Sequence, residues 1–261
     1  MKKNLISILI TNYNKEKFLK QSLKSVCNQN FKNYEIILYD DCSTDNSISI
    51  IKKFKKIKLI KNYKRSKKSS PLNQIKGILE AFKKSKGNII CLMDSDDLFN
   101  KNKLLIINQK FKKNKNINCI FNFPKTNINN FKFRRKKTLS IWPSIFPTSC
   151  ISFRKVFFIN LIKKLKKNKY PNLEIDARIN IFSNFFYNEY NLLHKHLTTY
   201  KYDQSGITAN KKKFSKLWWY RRKEAYQYLN FILQKKNIRF KPNFDFYITN
   251  LFYFIFKIFS P

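Results

Sequence analysis

Short apolar runs alternate with helical patterns over the first 95 residues, and this alternation constrains the fold more than any other feature of the chain. A continuous apolar run such as LISILIT is typical of a strand that is buried on both faces. A β-α-β-α-β-α-β order predicts an open, mainly parallel sheet with helices on both faces. The predicted strands cover residues 5–11, 34–41, 57–61 and 88–94, and the predicted helices cover 15–29, 43–54 and 69–86.

Start and stop signals support two of these helices. Ser43 is a candidate N-cap for the second helix, and Pro71 falls in the first turn of the third. Gly87 follows the expected end of the third helix.

The pattern is less regular beyond residue 105. Residues 117–123 read as a strand, whereas 129–142 are mixed and basic. Helical spacing returns in several segments, and the last of them is strongly aromatic. The predicted helices cover residues 103–114, 154–167, 173–186, 214–233 and 244–259.

Polar clusters follow three of the predicted strands: residues 11–14 (TNYN), 40–41 (DD) and 94–97 (DSDD). Ligands of open parallel sheets bind outside the carboxyl ends of the strands, so the three clusters predict one site. The chain has 15 acidic residues against 55 basic ones, so its few carboxylates are concentrated where a ligand is expected.

The DSDD cluster suggests a cation. Carboxylates separated by one intervening residue, such as Asp94 and Asp96, can point toward the same volume at a strand end, because side chains alternate along an extended backbone, and they then repel one another. Oxygen ligands suit Mg²⁺ or Mn²⁺, which in turn binds a diphosphate. The alternative is a helix start, with Asp96 or Asp97 as the N-cap of the next helix.

ISILITNYNKEKFLKQSLKSVCNQNFKNYEIILYDDCSTDNS, followed by KGNIICLMDSDD, resembles the inverting family-2 glycosyltransferases with a GT-A-type fold. YPNLEIDARINIF resembles the region that supplies the catalytic base of that family, and LTTYKYDQSGIT resembles the strand and loop that close its site. The resemblance implies a single α/β, Rossmann-like nucleotide-diphospho-sugar transferase domain at 1–210. Its nucleotide-binding half is expected at 1–105 and its acceptor half at 106–210, and a helical aromatic extension at 211–261.

The resemblance also implies roles at the nucleotide. Thr11 and Tyr13 would frame the base, with the tyrosine ring packed on it. Asp41 would accept a hydrogen bond from the base, and Asp40 would support the loop. Asp94 would approach the ribose. For Tyr13, an aromatic that only lines the turn is the alternative.

The same resemblance assigns the metal ligand and the base. Asp96 would coordinate Mn²⁺ or Mg²⁺ under the diphosphate. Asp176 would take the proton from the acceptor hydroxyl, with Glu174 in reserve. Either acid could instead be a surface group paired with Arg178.

The expected activity is that of a metal-dependent inverting glycosyltransferase. The donor is a nucleotide-diphosphate sugar, the acceptor is a saccharide or lipid-linked hydroxyl, and the product belongs to a cell-surface polysaccharide.

Two departures from the family pattern stand out. The segment after the third strand is long and basic, so Arg65, Lys67 and Lys68 are either phosphate ligands or solvated charges. A histidine that is frequent near the site is absent, and His194 and His196 lie upstream.

The formal net charge of +40 suggests a different class of function, a basic nucleic-acid-binding protein. That hypothesis does not explain acids at strand ends, where they would repel phosphate, so no nucleic acid is expected as a partner. A codon bias toward lysine is an equally good origin of the charge. A catalytically inactive scaffold of the same fold is a third hypothesis.

Five scattered cysteines without metal-site spacing suit a reduced, cytoplasmic compartment. The apolar run near the amino terminus is too short to span a bilayer. The aromatic tail, residues 244–259, follows Lys235, Lys236 and Lys241 and suits the interface of an anionic membrane. A peripheral position on the inner face of the cell membrane is therefore expected. The alternatives for the tail are packing on the body of the protein and self-association.

Overall fold

A mixed sheet forms the centre of the molecule in the computed structural model, which describes residues 4–126, 146–189, 191–201 and 212–259. Among these residues the sheet has eight strands in the order β3-β2-β1-β4-β7-β6-β8-β5. The strands are β1 Ile6–Asn12, β2 Tyr34–Asp40, β3 Ile57–Lys61, β4 Ile89–Asp94, β5 Leu98–Phe99, β6 Cys119–Thr126, β7 Ile151–Arg154 and β8 Asn191–Tyr200.

Helices cover both faces of this sheet. A 3-10 turn at Thr148–Cys150 precedes β7, and a π-helical turn at Phe182–Phe186 continues α6. The helices are α1 Glu16–Cys27, α2 Ser47–Lys52, α3 Ser70–Lys83, α4 Lys103–Lys113, α5 Lys155–Ile162, α6 Ile175–Ile181, α7 Lys216–Gln234 and α8 Phe244–Phe259.

The first four strands are parallel, as the alternating pattern predicts. β1 pairs with β2 and β4, and β3 pairs with β2. The register places Thr11 beside both Tyr39 and Asp94, and Asn12 beside Asp40. The three predicted polar clusters therefore leave the sheet at the same edge and at the same level.

The other half of the sheet is mixed. β7 is antiparallel to both β4 and β6, and β5 is antiparallel to β8. The sequence pattern did not reveal β5 or β7, because strands of two and four residues are too short to show a period. Residues 129–142 lie outside the described residues.

Two predicted helix details are wrong. Ser43 does not cap α2, which begins after Asn46; its backbone N–H and its hydroxyl donate to the carboxylate of Asp40 instead. The helix predicted at 154–167 ends at Ile162. Pro71 lies in the first turn of α3, as predicted, and the Ser69 hydroxyl caps this helix by accepting from the Leu72 backbone N–H.

Alternate residues of the central strands feed two apolar clusters. Ile8 and Ile10 pack with α1, α2 and α4, whereas Leu9 packs on the opposite side with α3, α5, α6 and α7. This period of two is what a strand buried on both faces requires. Helix α7 contributes Tyr228 and Leu229 to the second cluster, so this helix is part of the main core.

Candidate active site

Asp40 organises the loop that follows β2. Its buried carboxylate accepts from the Asn12 amide at 2.8 Å and from the Ser43 backbone N–H at 2.9 Å. The Ser43 hydroxyl in turn accepts from the Asn14 backbone N–H at 2.9 Å. These hydrogen bonds join the ends of β1 and β2 into one rigid rim.

Asp41 lies just beyond that rim and has polar partners on both carboxylate oxygens. The Asn62 amide donates to one of its oxygens at 2.8 Å, and the Arg65 guanidinium lies 2.9 Å from the other. Burial raises the pKa of the Asp41 carboxyl, and Asn62 and Arg65 oppose the rise. The carboxylate therefore needs such polar partners to stay charged.

Tyr13 presents a ring face to one of these partners. Its side chain is 38% exposed, and the Arg65 guanidinium lies over the ring at 3.8 Å from the centroid. Arg65 thus joins Tyr13 to Asp41. The flat guanidinium covers this face, which shows that the face accepts a flat, stacked partner.

Asp94 ends β4 at the centre of the rim. The Gln74 amide of α3 donates to it at 2.8 Å, and its backbone N–H donates to the Ser149 hydroxyl at 2.9 Å. Burial, and after it the charges of Asp96, Asp97 and Asp176, raise the pKa of the Asp94 carboxyl well above its usual range. The four carboxylates therefore share one electrostatic environment.

Helix α3 approaches this edge unusually closely. A Cβ at Gly77 would lie 2.7 Å from the Tyr39 ring and 3.1 Å from the Thr11 methyl group. The absence of a side chain at Gly77 lets the helix rest on β1 and β2. One turn earlier, Gln74 is then in reach of Asp94.

Asp96 is paired with a cation of the chain itself. The Lys15 ammonium lies 3.1 Å from an oxygen of Asp96, and the two side chains are only 14% and 15% exposed. Neither Asp96 nor Asp97 caps the next helix, since α4 begins at Lys103 after the short strand β5. The N-cap alternative for these acids is therefore wrong.

Asp97 points away from the rim into the interior. It is fully buried and accepts from the Lys201 backbone N–H at 3.0 Å, which fixes the chain just beyond β8. Burial, together with the charge of Asp96, raises the pKa of Asp97 to about 7. Lys103, also fully buried, donates to Ser149 and Thr198 beside it.

Asp176 lies in the first turn of α6, where its carboxylate accepts from the Ala177 backbone N–H at 2.6 Å. The loop before α6 is tied to α3, because the Ser69 hydroxyl donates to the Pro171 carbonyl at 2.6 Å. This tie brings α6 to the edge of the sheet where Asp94 ends β4. Asp176 contributes to the raised pKa of Asp94 from there.

Glu174 and Arg178 have other partners. The buried Glu174 carboxylate accepts from the Arg221 guanidinium of α7 at 2.6 Å. Arg178 is fully buried and donates to five backbone carbonyls, those of Leu165, Lys166, Lys169, Tyr170 and Leu173. Arg178 therefore organises the loop before α6.

Several contacts at this edge were missed from the sequence. Asn62 directly follows the predicted strand 57–61, and Lys15 directly follows the polar cluster 11–14, a signal that could have been used. Gln74 and Arg221 reach the site only through the packing of α3 and α7, which no local pattern reveals. Both histidines of β8 are exposed, and the His194 ring stacks on Phe123.

The carboxylates at this edge suit a metal ion that binds together with the phosphates of a ligand. Across the parts of the chain that the structure describes, no group of three or more His, Cys, Asp or Glu side chains has a metal-binding arrangement. Mg²⁺ and similar ions, however, are commonly held by one or two carboxylates together with substrate phosphates. Asp96, which already accepts a cation, fits that pattern.

Comparison with known proteins identifies a family for the chain. The glycosyl transferase family 2 matches residues 7–190. The poly(ribitol-phosphate) beta-N-acetylglucosaminyltransferase TarS of Staphylococcus aureus is 30% identical over 38% of the chain and 17% of its own length. The minor teichoic acid biosynthesis protein GgaA of Bacillus subtilis is 34% identical over 44% of the chain and 26% of its own length. The chain thus spans well under half of these relatives.

Solved structures share the fold. S. aureus TarS 1–349 in complex with UDP-GlcNAc aligns with a TM-score of 0.65 at 17% identity, over 98% of this chain and 72% of that one. The mannosyltransferase PcManGT of Pyrobaculum calidifontis, in complex with GDP-Man and Mn²⁺, aligns with a TM-score of 0.56 at 14% identity, over 97% and 69%. The GT-A-type fold expected from the sequence is confirmed.

Proposed function

Because the chain belongs to glycosyl transferase family 2, we propose that it transfers a sugar from a nucleotide-diphosphate sugar to an acceptor hydroxyl with inversion. The observation that carries this proposal is the meeting of Asp41, Asp94, Asp96 and Asp176 at one edge of the sheet. Residues 1–105 bind the nucleotide, 106–210 face the acceptor, and 211–261 form an extension.

The base of the nucleotide packs on Tyr13 in this proposal, beside Thr11. Asp41 accepts a hydrogen bond from the base, Asp40 holds the loop, and Asp94 contacts the ribose. Support comes from the partly exposed Tyr13 ring, on which a flat guanidinium already stacks, and from the polar partners of Asp41. Arg65 belongs to the base rather than to the phosphates, since it contacts both Tyr13 and Asp41.

Asp96 binds the divalent metal, Mn²⁺ or Mg²⁺, together with the donor diphosphate. The ion supplies neutralisation of the departing diphosphate. The acidic environment of Asp96 and its existing cation partner support the assignment. The presence of Mn²⁺ beside GDP-Man in the PcManGT complex adds to it.

Asp176 is the general base. It removes the proton of the acceptor hydroxyl while that oxygen attacks the anomeric carbon and the bond to the diphosphate breaks. Glu174 does not share the role, because its carboxylate is buried against Arg221. The opposed faces of attack and departure give inversion.

The acceptor is a saccharide or a lipid-linked oligosaccharide of a cell-surface polysaccharide. The names of TarS and GgaA, which concern poly(ribitol-phosphate) and teichoic acid, support this class.

We place the enzyme in the cytoplasm, peripherally on the inner face of the membrane. Among the described helices none is both long and apolar enough to cross a bilayer. Exposed aromatic side chains of α8 support the peripheral position.

Calorimetric titration with UDP- and GDP-sugars, with and without Mn²⁺, tests this function. Binding of one donor that requires Mn²⁺ is expected, and Asp96→Ala should remove the metal-supported part while leaving the fold intact. Equal Mn²⁺-supported binding in parent and variant would contradict the metal assignment. Tight binding of single-stranded DNA in place of any donor would favour the nucleic-acid hypothesis.

A further inference from the structure

We propose that Lys15 occupies the cation position at Asp96 in the donor-free enzyme and competes there with the divalent metal. The metal then binds together with the nucleotide rather than before it. The inference rests on the proposed function in one respect, the assignment of Asp96 as the metal ligand.

The first support is the geometry of the pair. The ammonium of Lys15 lies 3.1 Å from the Asp96 carboxylate, and both side chains are about six-sevenths buried, at 14% and 15% exposure. Charges that are largely shielded from water interact more strongly than an exposed pair. The structure thus already contains a positive charge at this carboxylate.

The second support is that Lys15 is held in place by its backbone. Its carbonyl accepts the first hydrogen bonds of α1, from Phe18 and Leu19, and its N–H donates to the Ser47 hydroxyl at 3.3 Å. The preceding Asn14, at φ 50°, is tied to Thr44 of the Asp40 loop. The backbone of Lys15 therefore lies in a fixed turn on the rim, from which its ammonium reaches Asp96.

The third support is electrostatic exclusion. A divalent ion bound to Asp96 at about 2.1 Å would lie close to the ammonium, and the two cations repel each other. The metal alone must therefore displace Lys15 from its carboxylate. A metal that arrives with a diphosphate brings anionic oxygens that the displaced ammonium can contact, so the nucleotide removes the obstacle.

Electron paramagnetic resonance of free Mn²⁺ tests the proposal without any turnover. The titrations use the parent, Lys15→Met and Lys15→Arg, each alone and with saturating UDP or GDP. Lys17→Met is the matched control, because Lys17 is exposed on α1 two residues further on. Circular dichroism and thermal unfolding verify that each variant is folded.

The expected result is that Lys15→Met binds Mn²⁺ without nucleotide about three- to tenfold more tightly than the parent. Lys15→Arg, which keeps a cation at this position, and Lys17→Met should both resemble the parent. The Mn²⁺ affinities of the parent and Lys15→Met should also differ less in the presence of nucleotide than in its absence.

Two results overturn the inference in different ways. If Mn²⁺ binds the parent with nucleotide but Lys15→Met gains no affinity without it, the competition is absent while the proposed function stands. If Mn²⁺ binds no variant even with nucleotide, the metal role of Asp96 fails and the inference fails with it. Should Lys15→Met not fold, a Lys15→Arg variant that binds Mn²⁺ more tightly than the parent also contradicts it.

Discussion

Asp176 and Glu174 are two residues apart, yet their surroundings give them different tasks. Asp176 lies in the first turn of α6 within the acidic group at the sheet edge, whereas Glu174 is buried against Arg221. Asp176→Asn keeps the shape of the side chain and removes the carboxylate that we propose as the general base. Turnover should fall by about 10²- to 10⁴-fold while donor affinity and melting temperature are retained. Single-turnover kinetics and donor titration measure the two quantities.

Glu174→Gln is the matched comparison. It breaks an almost buried ion pair, so the melting temperature should fall while the remaining folded enzyme keeps its turnover. A loss of donor affinity in Asp176→Asn would instead assign Asp176 to the nucleotide site. Equal losses of turnover in both variants would mean that the acids act together.

The ring face of Tyr13 is the second residue-scale test. If the base stacks on it, Tyr13→Leu should weaken UDP or GDP binding about three- to tenfold, because an aromatic pair adds roughly 0.5–1.5 kcal/mol. Tyr13→Phe keeps the face and should resemble the parent. Tyr63→Leu, at a tyrosine in the loop after β3 that is 86% exposed, is the control. Calorimetry showing full affinity in Tyr13→Leu would support a turn-lining role.

At the scale of elements, the parallel half of the sheet was predictable because three of its four strands, β1, β2 and β4, are largely buried on both faces. Runs such as 34–41 contain enough consecutive apolar residues to be read alone. The mixed half was predictable only in part: the strand predicted at 117–123 corresponds to β6, whereas β5 has two residues and β7 has four. Their pairing depends on distant partners, Thr198 and Thr199 for β5 and Cys91 for β7.

The same contrast holds in the site. Asp41, Asp94 and Asp96 follow strand ends, so their meeting could be predicted from the parallel order alone. The role of Ser43 could not, because its choice of Asp40 over a helix cap depends on how the loop folds back. The ion pair between Glu174 and Arg221 joins residues 47 apart and depends on where α7 docks.

Glu35 of β2 joins three strands at the opposite edge of the sheet. Its carboxylate accepts from the Ser7 hydroxyl at 2.7 Å, the Lys86 N–H at 2.6 Å and the Lys58 ammonium at 2.8 Å. Burial alone would raise the pKa of Glu35, but these hydrogen bonds outweigh burial and lower it. A lowered pKa contributes stability above the pKa of the unfolded chain, and this is lost as the pH falls through the folded value.

Glu35→Gln should therefore reduce the free energy of unfolding by about 1–2 kcal/mol at pH 7. The difference should shrink as the pH falls below the ordinary glutamate range and through the lowered pKa of the folded protein, where the parent carboxyl becomes protonated as well. Urea unfolding at several pH values measures it. Glu80→Gln, which removes a more exposed ion pair with Lys83, should change the free energy by less than about 0.5 kcal/mol. A pH-independent difference for Glu35→Gln would contradict the linkage.

At the scale of the whole molecule, α7 and α8 form an antiparallel pair with one covered and one open face. Trp219 stacks on Phe252 at 4.5 Å, and Asp245 accepts from Arg222 and Tyr226. Packing of the tail on the body, the alternative to a membrane interface, is thus present on one side of α8. The other side carries Phe244, Tyr247, Leu251, Phe254 and Ile258, each more than half exposed.

The charge of the chain favours a membrane as the partner of this open face. Exposed Lys235, Lys236, Arg239 and Lys241 lie between α7 and α8, and Lys257 lies on α8. Each basic residue near an anionic surface adds roughly 1 kcal/mol of attraction. A second copy of a chain with a net charge of +40 would repel the first. An aromatic face beside lysines suits the interface of an anionic bilayer.

Flotation with anionic liposomes tests this placement. The parent should float, and less of it should float at high salt. A combined Tyr247→Ser, Leu251→Ser and Phe254→Ser variant should bind the liposomes at least about tenfold more weakly than the parent, because exposed apolar area is removed. Since these side chains are exposed, the fold should be unaffected. Val156→Ser with Ile159→Ser, at exposed positions of α5, is the control and should float like the parent. If the triple variant floats as well as the parent, α8 is not the anchor; if it instead loses a dimer seen by sedimentation, the face serves self-association.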